Sequence, residues 1–555
     1  MMHLLKIIST LILVLVVCCW LADGIAADGV AADGVASDAP SSGEFGVMAW
    51  NIWHGGREDG EIAGPKRVAE VIQRSGADIV CMQETYGSGE MIAEELGFHF
   101  QPRGTNCSIL SRFPISEDIS VFEPFKCVGG LIDLPGGKRV AVYSIWLPYD
   151  KEIWAEGTRE GLDANAVQSA CEASAADAKV LLAAIQSRLD SPKYAGVPIV
   201  IAGDFNSMSH LDYTETTRDQ YAFAIQWPTS LEMIGAGFRD PYRELHPIVD
   251  RAADRTWTPR FPGQQQDRID YTYYRGEPLV ATASDVIDTH AEGFPSDHAA
   301  LHTKFRWIDD LPQTKSLKLK VLSYNIKRGQ GNDGRVDLAR TAEVLQKLKP
   351  DFVALQEVDE RVSRSGNVNQ AMELGKQLNM HPAFGSFMTL DEGRYGMACL
   401  SKYPVRHITS VVLPDGNEPR IALAVEVRLP GGESLMFVNV HFDWVDDDRY
   451  RFAQAECLRK YLDQLAIPYV LLGDFNDEPG SRTLELLSKG ALEAKKPTGK
   501  RLTWSSTEPQ MEIDFIFTAP IERWKVIMVD VIDETIASDH RPVIAELEFV
   551  GATDN

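Results

Sequence analysis

Asn325, Glu357, Asp474, Asn476, Asp514, Asp539 and His540 stand at or beside the ends of apolar runs in the C-terminal half of this 555-residue chain. Glu357 ends the run Asp351-Phe352-Val353-Ala354-Leu355-Gln356. A carboxylate buried there without a partner costs several kcal/mol, so it should have one. Asn325 offers a neutral oxygen and Asp539 a further hard oxygen. Such a set suits Mg²⁺ or Mn²⁺, which take few protein oxygens and leave room for water and phosphate. Asp474 and Asn476 alternate in Gly473-Asp474-Phe475-Asn476, and on an extended segment they would point the same way. The carboxylate could then orient and deprotonate a water, and the amide could donate to a developing oxyanion. Asp514 could orient the ring of His540, and His441 is a second imidazole at a strand end. A metal, a water-orienting aspartate and cationic donors fit in-line attack on phosphorus.

These clusters need rigid elements behind them. Val47-Met48-Ala49-Trp50, Ile199-Val200-Ile201-Ala202, Leu319 to Tyr324 and Tyr469-Val470-Leu471-Leu472 read as buried strands. Helical spacing alternates with them at Arg67 to Arg74, Ala166 to Leu189, Val336 to Leu348 and Arg451 to Leu465. The mixture predicts an α/β class of layered sheets flanked by helices.

The whole constellation occurs twice. Asn51, Gln83-Glu84, Gly203-Asp204-Phe205-Asn206, Ile269-Asp270 and Ser296-Asp297-His298 match Asn325, Gln356-Glu357, Gly473-Asp474-Phe475-Asn476, Ile513-Asp514 and Ser538-Asp539-His540, in the same order. Asn to Glu is 33 residues and then 32, and Asn to the first Asp is 153 and then 149. Taken singly, a strand-end Asn or Asp is more often a turn former, and a lone His is more often structural. Five clusters in one order, twice, are not explained that way. The chain therefore divides into domains at 45–308 and 316–550, joined by a polar linker at 309–315. The first copy carries an insertion after Asn206, with Arg239, Arg243, Arg251, Arg255, Arg260, Arg268, Trp227 and Trp257. It reads either as a clamp for an extended ligand or as a solvated loop over two core tryptophans.

Residues 1–26 read as an export signal: Lys6, an apolar run from Ile7 to Leu21, then small residues. The expected location is periplasmic or secreted, and the other reading is an uncleaved N-terminal anchor. A low-complexity tether follows at 27–44. Of the remaining cysteines, Cys81 and Cys399 lie in strand-like runs as buried thiols, and a Cys107–Cys127 bridge is open. The formal charge is −25, with 24 Lys and Arg against 38 Asp and Glu in 45–309, and 30 against 37 in 310–555. Neither half advertises a surface for nucleic acid.

Together the strand-end Asn, Gln-Glu, Gly-Asp-Phe-Asn, Ile-Asp before an aromatic and Ser-Asp-His resemble the endonuclease/exonuclease/phosphatase superfamily, in two tandem copies. The resemblance implies two DNase I-like four-layer α/β sandwiches and Mg²⁺-dependent (or Mn²⁺-dependent) hydrolysis of phosphoesters. It assigns metal binding to Asn325 and Glu357 with Asp539, water positioning to Asp474, and phosphate contacts to Asn476 and His441. It gives transition-state stabilisation or leaving-group protonation to His540 with Asp514. In the first copy Asn51, Glu84, Asp297, Asp204, Asn206, His298 and Asp270 take these places. Two departures stand out. Trp146 occupies the place of His441, with His54 as a substitute imidazole, and Met397 stands where many relatives have an amide. The leading expectation is an exported hydrolase of a lipid head group, sugar phosphate or nucleotide, touching a membrane only through an uncleaved signal or a lipid substrate. A nuclease is the runner-up, and a non-catalytic first domain is the third reading.

Overall fold

The computed structural model describes residues 43–310 and 316–551. The signal at 1–26, nearly all of the tether and residues 311–315 of the linker lie outside the described residues.

Each half contains two sheets. In the first, Glu44–Asn51 runs parallel to Ile79–Gln83 and antiparallel to Ala300–Trp307. In the facing sheet Lys138–Trp146 runs parallel to Ile199–Asp204, which pairs antiparallel with Asp270–Arg275. The second half repeats the plan. Ser316–Asn325, Phe352–Glu360 and Val543–Val550 form one sheet centre, and Ser434–His441, Tyr469–Asp474 and Asp514–Ala519 form the other.

Apolar side chains on both faces of these central strands dictate the layering. Inner faces meet in one core, with Val321 and Phe352 against Leu423, Phe437 and Val470 in the second half. Outer faces are covered by helices. Leu338–Leu348 and Gln370–Leu378 lie over one sheet, and Arg449–Leu462 and Arg482–Leu487 over the other. In the first half Ala63–Ser75 and Glu172–Leu189 do the same. This is the α/β/β/α sandwich expected for a DNase I-like fold, present twice.

The glutamine of each Gln-Glu pair ties the facing sheets together. Gln83 Nε2 donates to Ser144 Oγ at 2.9 Å, and Gln356 Nε2 donates to Asn439 Oδ1 at 2.7 Å, all fully buried. Such a bond fixes the sheets' relative slide, because breaking it strands a buried donor.

Three sequence expectations change. Ala166 to Leu189 is two helices, Ala164–Ser169 and Glu172–Leu189, because Val167, Ala170 and Cys171 enter a separate core with Trp154, Tyr213 and Trp227. Val336 lies outside its helix and is exposed, since the Asp337 side chain caps Leu338–Leu348 by accepting from Arg340 N. Cys107 and Cys127 are buried free thiols rather than a bridge, like Cys81 and Cys399.

The insertion is neither a ligand clamp nor a solvated loop. Arg268 and Arg243 are buried and both reach Asp212, with Asp240 and Asp254 completing the network. Arg239, Arg255 and Arg260 pair with Glu244, Asp288 and Asp59. Arg251 donates to the Gln266 and Gln220 carbonyls. Trp227 is core, but Trp257 borders the cleft described below.

Gly203 and Gly473 explain the glycine of Gly-Asp-Phe-Asn. Both have φ 152°, and an added Cβ would lie 2.0 Å from the carbonyl oxygen of Ile145 or Val440 on the neighbouring strand. Replacing Gly473 with alanine should cost about 3 kcal/mol, by overpacking against backbone that cannot yield. Gly490→Ala, at φ 72° but in open space, should cost only about 1–2 kcal/mol. Thermal unfolding of the two variants beside wild type checks the difference; equal losses would contradict it.

Candidate active sites

Strand register brings the polar clusters of each half to one place. In the second half Asn325 ends a strand of one sheet and Asp474 ends a strand of the other. Asn325 Nδ2 donates to Glu357 Oε1 at 3.1 Å and to Asp474 Oδ2 at 3.2 Å, so a single amide joins carboxylates across both sheets. The Ser538 hydroxyl donates to the Asn325 carbonyl at 2.7 Å, which sets the position of Asp539 and His540. Asp514 and His441 both lie in register with Asp474 on its two sides. His540 Nδ1 faces Asp514 Oδ2 at 3.1 Å, and its Nε2 lies 3.6 Å from Asp474 Oδ2. His441 Nε2 lies 3.5 Å from the same oxygen.

The first half reproduces this geometry closely. Asn51 Nδ2 reaches Glu84 Oε1 at 3.3 Å and Asp204 Oδ2 at 3.2 Å. Ser296 Oγ donates to the Asn51 carbonyl at 2.7 Å, and His298 Nδ1 faces Asp270 Oδ2 at 2.9 Å. Trp146 pairs with Asp204 as His441 pairs with Asp474. The structure thus brings together Asn51, Glu84, Asp204, Asp270, Asp297 and His298, and likewise Asn325, Glu357, Asp474, Asp514, Asp539 and His540.

Burial sets the charges. Alone it would push the imidazolium of His540 down, but Asp514 and Asp474 reverse that and its pKa rises to about 10. His298 rises to about 10 in the same way, through Asp270 and Asp204. Burial lifts Asp474 to about 7, the pull of His540 being opposed by the like charge of Asp514. Asp204 behaves alike. His441 is driven far down by burial, with Arg420 and His540 adding repulsion, so its ring is neutral. Each cluster therefore sets a buried imidazolium beside a carboxylate of raised basicity.

Asn476 corrects the extended-segment argument. Its φ is 48° and that of Asn206 is 44°, so the chain turns rather than alternates. Asp474 Oδ1 accepts from Asn476 N at 3.0 Å, and Asn476 Nδ2 donates to the Phe442 carbonyl at 3.0 Å. Asn206 Nδ2 likewise donates to Leu147 O and Asp204 Oδ2, each at 3.0 Å. These amides hold the aspartates and the strand ends. The His54 imidazole pairs with Glu58 at 2.7 Å, while its backbone N–H donates to Glu84 Oε2 at 3.0 Å. Met397 is fully buried in the inner core.

Several positioning residues escaped the sequence reading. The Thr256 hydroxyl accepts from Ile269 N and Asp270 N at 3.0 Å, and Thr503 does the same for Ile513 and Asp514 at 3.2 and 3.3 Å. Their signal was a repeated Thr-Trp pair, Thr256-Trp257 and Thr503-Trp504. Asn106 Oδ1 accepts from Glu84 N at 2.7 Å and holds the left-handed turn there. Lys327 Nζ lies 2.7 Å from Asp539 Oδ2.

Among the described residues, two groups of His and Asp have ligand atoms close enough to hold a cation, Asp204-Asp270-His298 and Asp474-Asp514-His540. The carboxylates beside the histidine in each raise its pKa, which disfavours the neutral ring that a metal ligand must be. The Asn-Glu-Asp set fits better through its carboxylates, each asparagine turning Nδ2 to them while its Oδ1 accepts from Trp53 N at 3.0 Å or Lys327 N at 3.1 Å and keeps one lone pair. Burial lifts Asp297 to about 6 and the charge of Glu84 adds to the rise against the pull of His298. None of the residues lining the first cleft is Lys or Arg. Carboxylates facing such a cleft with no fixed cation between them are the environment that a divalent ion completes, whereas in the second half Lys327 already pairs with Asp539.

The uncharacterized protein F14F9.5 of Caenorhabditis elegans is 27% identical over 289 residues, which span 47% of this chain and 91% of that protein. The uncharacterized protein YbhP of Escherichia coli K12 is 25% identical over 262 residues, 43% of this chain and 99% of that one. The crystal structure of an endonuclease/exonuclease/phosphatase from Beutenbergia cavernae is similar with a TM-score of 0.35 and 25% identity, covering 42% of this chain and 72% of that one. The model of the Endonuclease/Exonuclease/phosphatase family matches residues 48–298 and again 322–540, and the residues just described fall within those two spans. The chain belongs to the endonuclease/exonuclease/phosphatase family, as two copies in tandem.

Proposed function

We propose that each half hydrolyses a phosphoester with a divalent cation, Mg²⁺ or Mn²⁺, held by Asn51, Glu84 and Asp297 in the first site and by Asn325, Glu357 and Asp539 in the second. The cation would supply charge neutralisation at the phosphate oxygens and a hold on the ester. Asp474 takes the proton of the attacking water as the new P–O bond forms. Its raised pKa suits it to that task, and Asn325 and the Asn476 N–H keep its oxygens in place. His540, kept protonated by Asp514, donates to the phosphate as negative charge grows, and then to the departing alkoxide as the ester bond breaks. Neutral His441, whose Nε2 lies 3.5 Å from Asp474 Oδ2, stands where it could meet a phosphate oxygen. Asp204, Asp270 and His298 act likewise in the first site. The observation that carries this reading is the doubled Asn–Asp–His geometry joined across two sheets.

A lipid head group, sugar phosphate or nucleotide is the favoured substrate class. The nuclease reading has less support, because the arginines of the insertion are turned to the protein's own carboxylates and carbonyls. Export through residues 1–26 belongs to the same proposal. The first site matches the second in its acid set, which favours activity over a purely binding role despite Trp146.

On a generic aryl phosphoester with Mg²⁺ or Mn²⁺, Asp474→Asn and Asp204→Asn together should lower turnover at least about hundredfold, as expected for loss of general acid–base catalysis. Chelator should abolish wild-type turnover and added metal should restore it. Turnover that survives both the double variant and the chelator refutes the reading, while an Asp204→Asn change without effect on both aryl monoester and aryl diester makes the first half a binding domain. A second expectation concerns His540. Removing the negative charge of Asp514 by Asp514→Asn weakens the protonated form, so the His540 pKa should fall from about 10 toward its ordinary value. NMR titration of the imidazole reads this directly. The alkaline limb of kcat/KM should move to lower pH with it, because the acid form is the one required.

A further inference from the structure

The two sites share their buried acids and differ at three matched positions around them. Two residues after the site asparagine stands Trp53 in the first half and Lys327 in the second. Beside the catalytic aspartate in the sheet stands Trp146 or His441. Two residues before Cys127 and Ala422, which hold the same place in their sheets, stand Phe125 or Arg420. Phe125 packs edge-on against Trp146, with centroids 5.6 Å apart. At these three positions, then, an aromatic group of the first site is a cationic or proton-bearing group in the second.

Arg420 is almost fully buried and its Nε has no hydrogen-bond partner. It forms an ion pair with Glu418 at 2.9 Å and stacks over Phe387 at 5.1 Å, and its charge is felt by His441. A buried guanidinium N–H left unpaired beside a phosphoryl site points to an anionic oxygen as its missing partner. Lys327 adds an ammonium at Asp539. The first cleft is lined by Trp53, Trp146, Tyr149 and Trp154 together with Glu84 and Glu152, and by no Lys or Arg, while Trp257 there is matched by Trp504 in the second half.

We propose that the second site is built for a terminal phosphomonoester and the first for a phosphodiester carrying a flat or apolar substituent. This rests on the hydrolase reading above. A monoester is largely dianionic at neutral pH and needs added positive charge, whereas a diester carries one negative charge and brings a second organic group to be covered. The two reactions can follow one another. At the first site water adds to phosphorus, one ester P–O bond breaks, and an alcohol and a monoester leave. At the second site another water releases the remaining alcohol and inorganic phosphate.

The test uses the full chain with bis(4-nitrophenyl) phosphate and 4-nitrophenyl phosphate in Mn²⁺ or Mg²⁺. Asp204→Asn should lose diester hydrolysis while keeping monoester hydrolysis. Asp474→Asn should do the reverse and accumulate 4-nitrophenyl phosphate from the diester. Lys327→Met and Arg420→Gln should each lower kcat/KM on the monoester by about tenfold or more, the loss of a charge-assisted contact, with diester turnover unchanged. Should Arg420→Gln unfold the second half, Lys327→Met alone decides. Proportional loss of both substrates in both aspartate variants, or Lys327→Met without effect on the monoester, overturns the division while leaving the hydrolase reading intact. A wild-type chain inert on both substrates with either metal overturns both.

Discussion

The structure depends on one constraint: carboxylates buried together must be held to one another and to a single imidazolium. Asp474, Asp514 and His540 are nearly without solvent, as are Asp204, Asp270 and His298. Desolvated charges in such numbers survive only with close partners, and even so Asp270 Oδ1 and Asp514 Oδ1 are buried without a hydrogen bond. Asn325 supplies part of that by donating to one carboxylate in its own sheet and another in the facing sheet. The sheets therefore cannot slide without breaking the site. Gln356 and Asn439 repeat the restraint one step deeper, where no chemistry occurs. The sandwich is as much a clamp for these charges as a hydrophobic core.

How far this was legible in the sequence follows from what fixes each residue. The strand-end Asn, Glu, Asp and His were visible because chemistry restricts their type and the duplication confirmed their spacing. The glycine of Gly-Asp-Phe-Asn was visible as a repeated letter, but its reason, a carbonyl 2.0 Å from any Cβ, lies on a strand more than thirty residues away. Asn476 was misread because period-two alternation applies to a strand and ends with it, and the chain turns at that residue. Thr256 and Thr503 stayed hidden because the distance from each to its aspartate differs, 14 residues against 11, which blurs the repeat. The insertion's arginines were read as available because nothing local reveals that Asp212, Asp240 and Asp254 would meet them in a buried network.

The same constraint explains where two copies of one fold can diverge. Within the cluster every member is bonded to others, and deleting one partner leaves a buried charge uncompensated, a loss of about 3–5 kcal/mol. Asn, Glu, both aspartates and His are thus locked as a set in each half. Positions just past the strand ends carry no such debt. Trp53 and Lys327 follow the same asparagine, and Phe125 and Arg420 occupy the same place before a strand, yet each exchange leaves the cluster's bonds unchanged. Variation is therefore channelled to the rim that meets the substrate, and a tandem pair can keep one reaction while presenting two different surfaces to the groups that phosphorus carries.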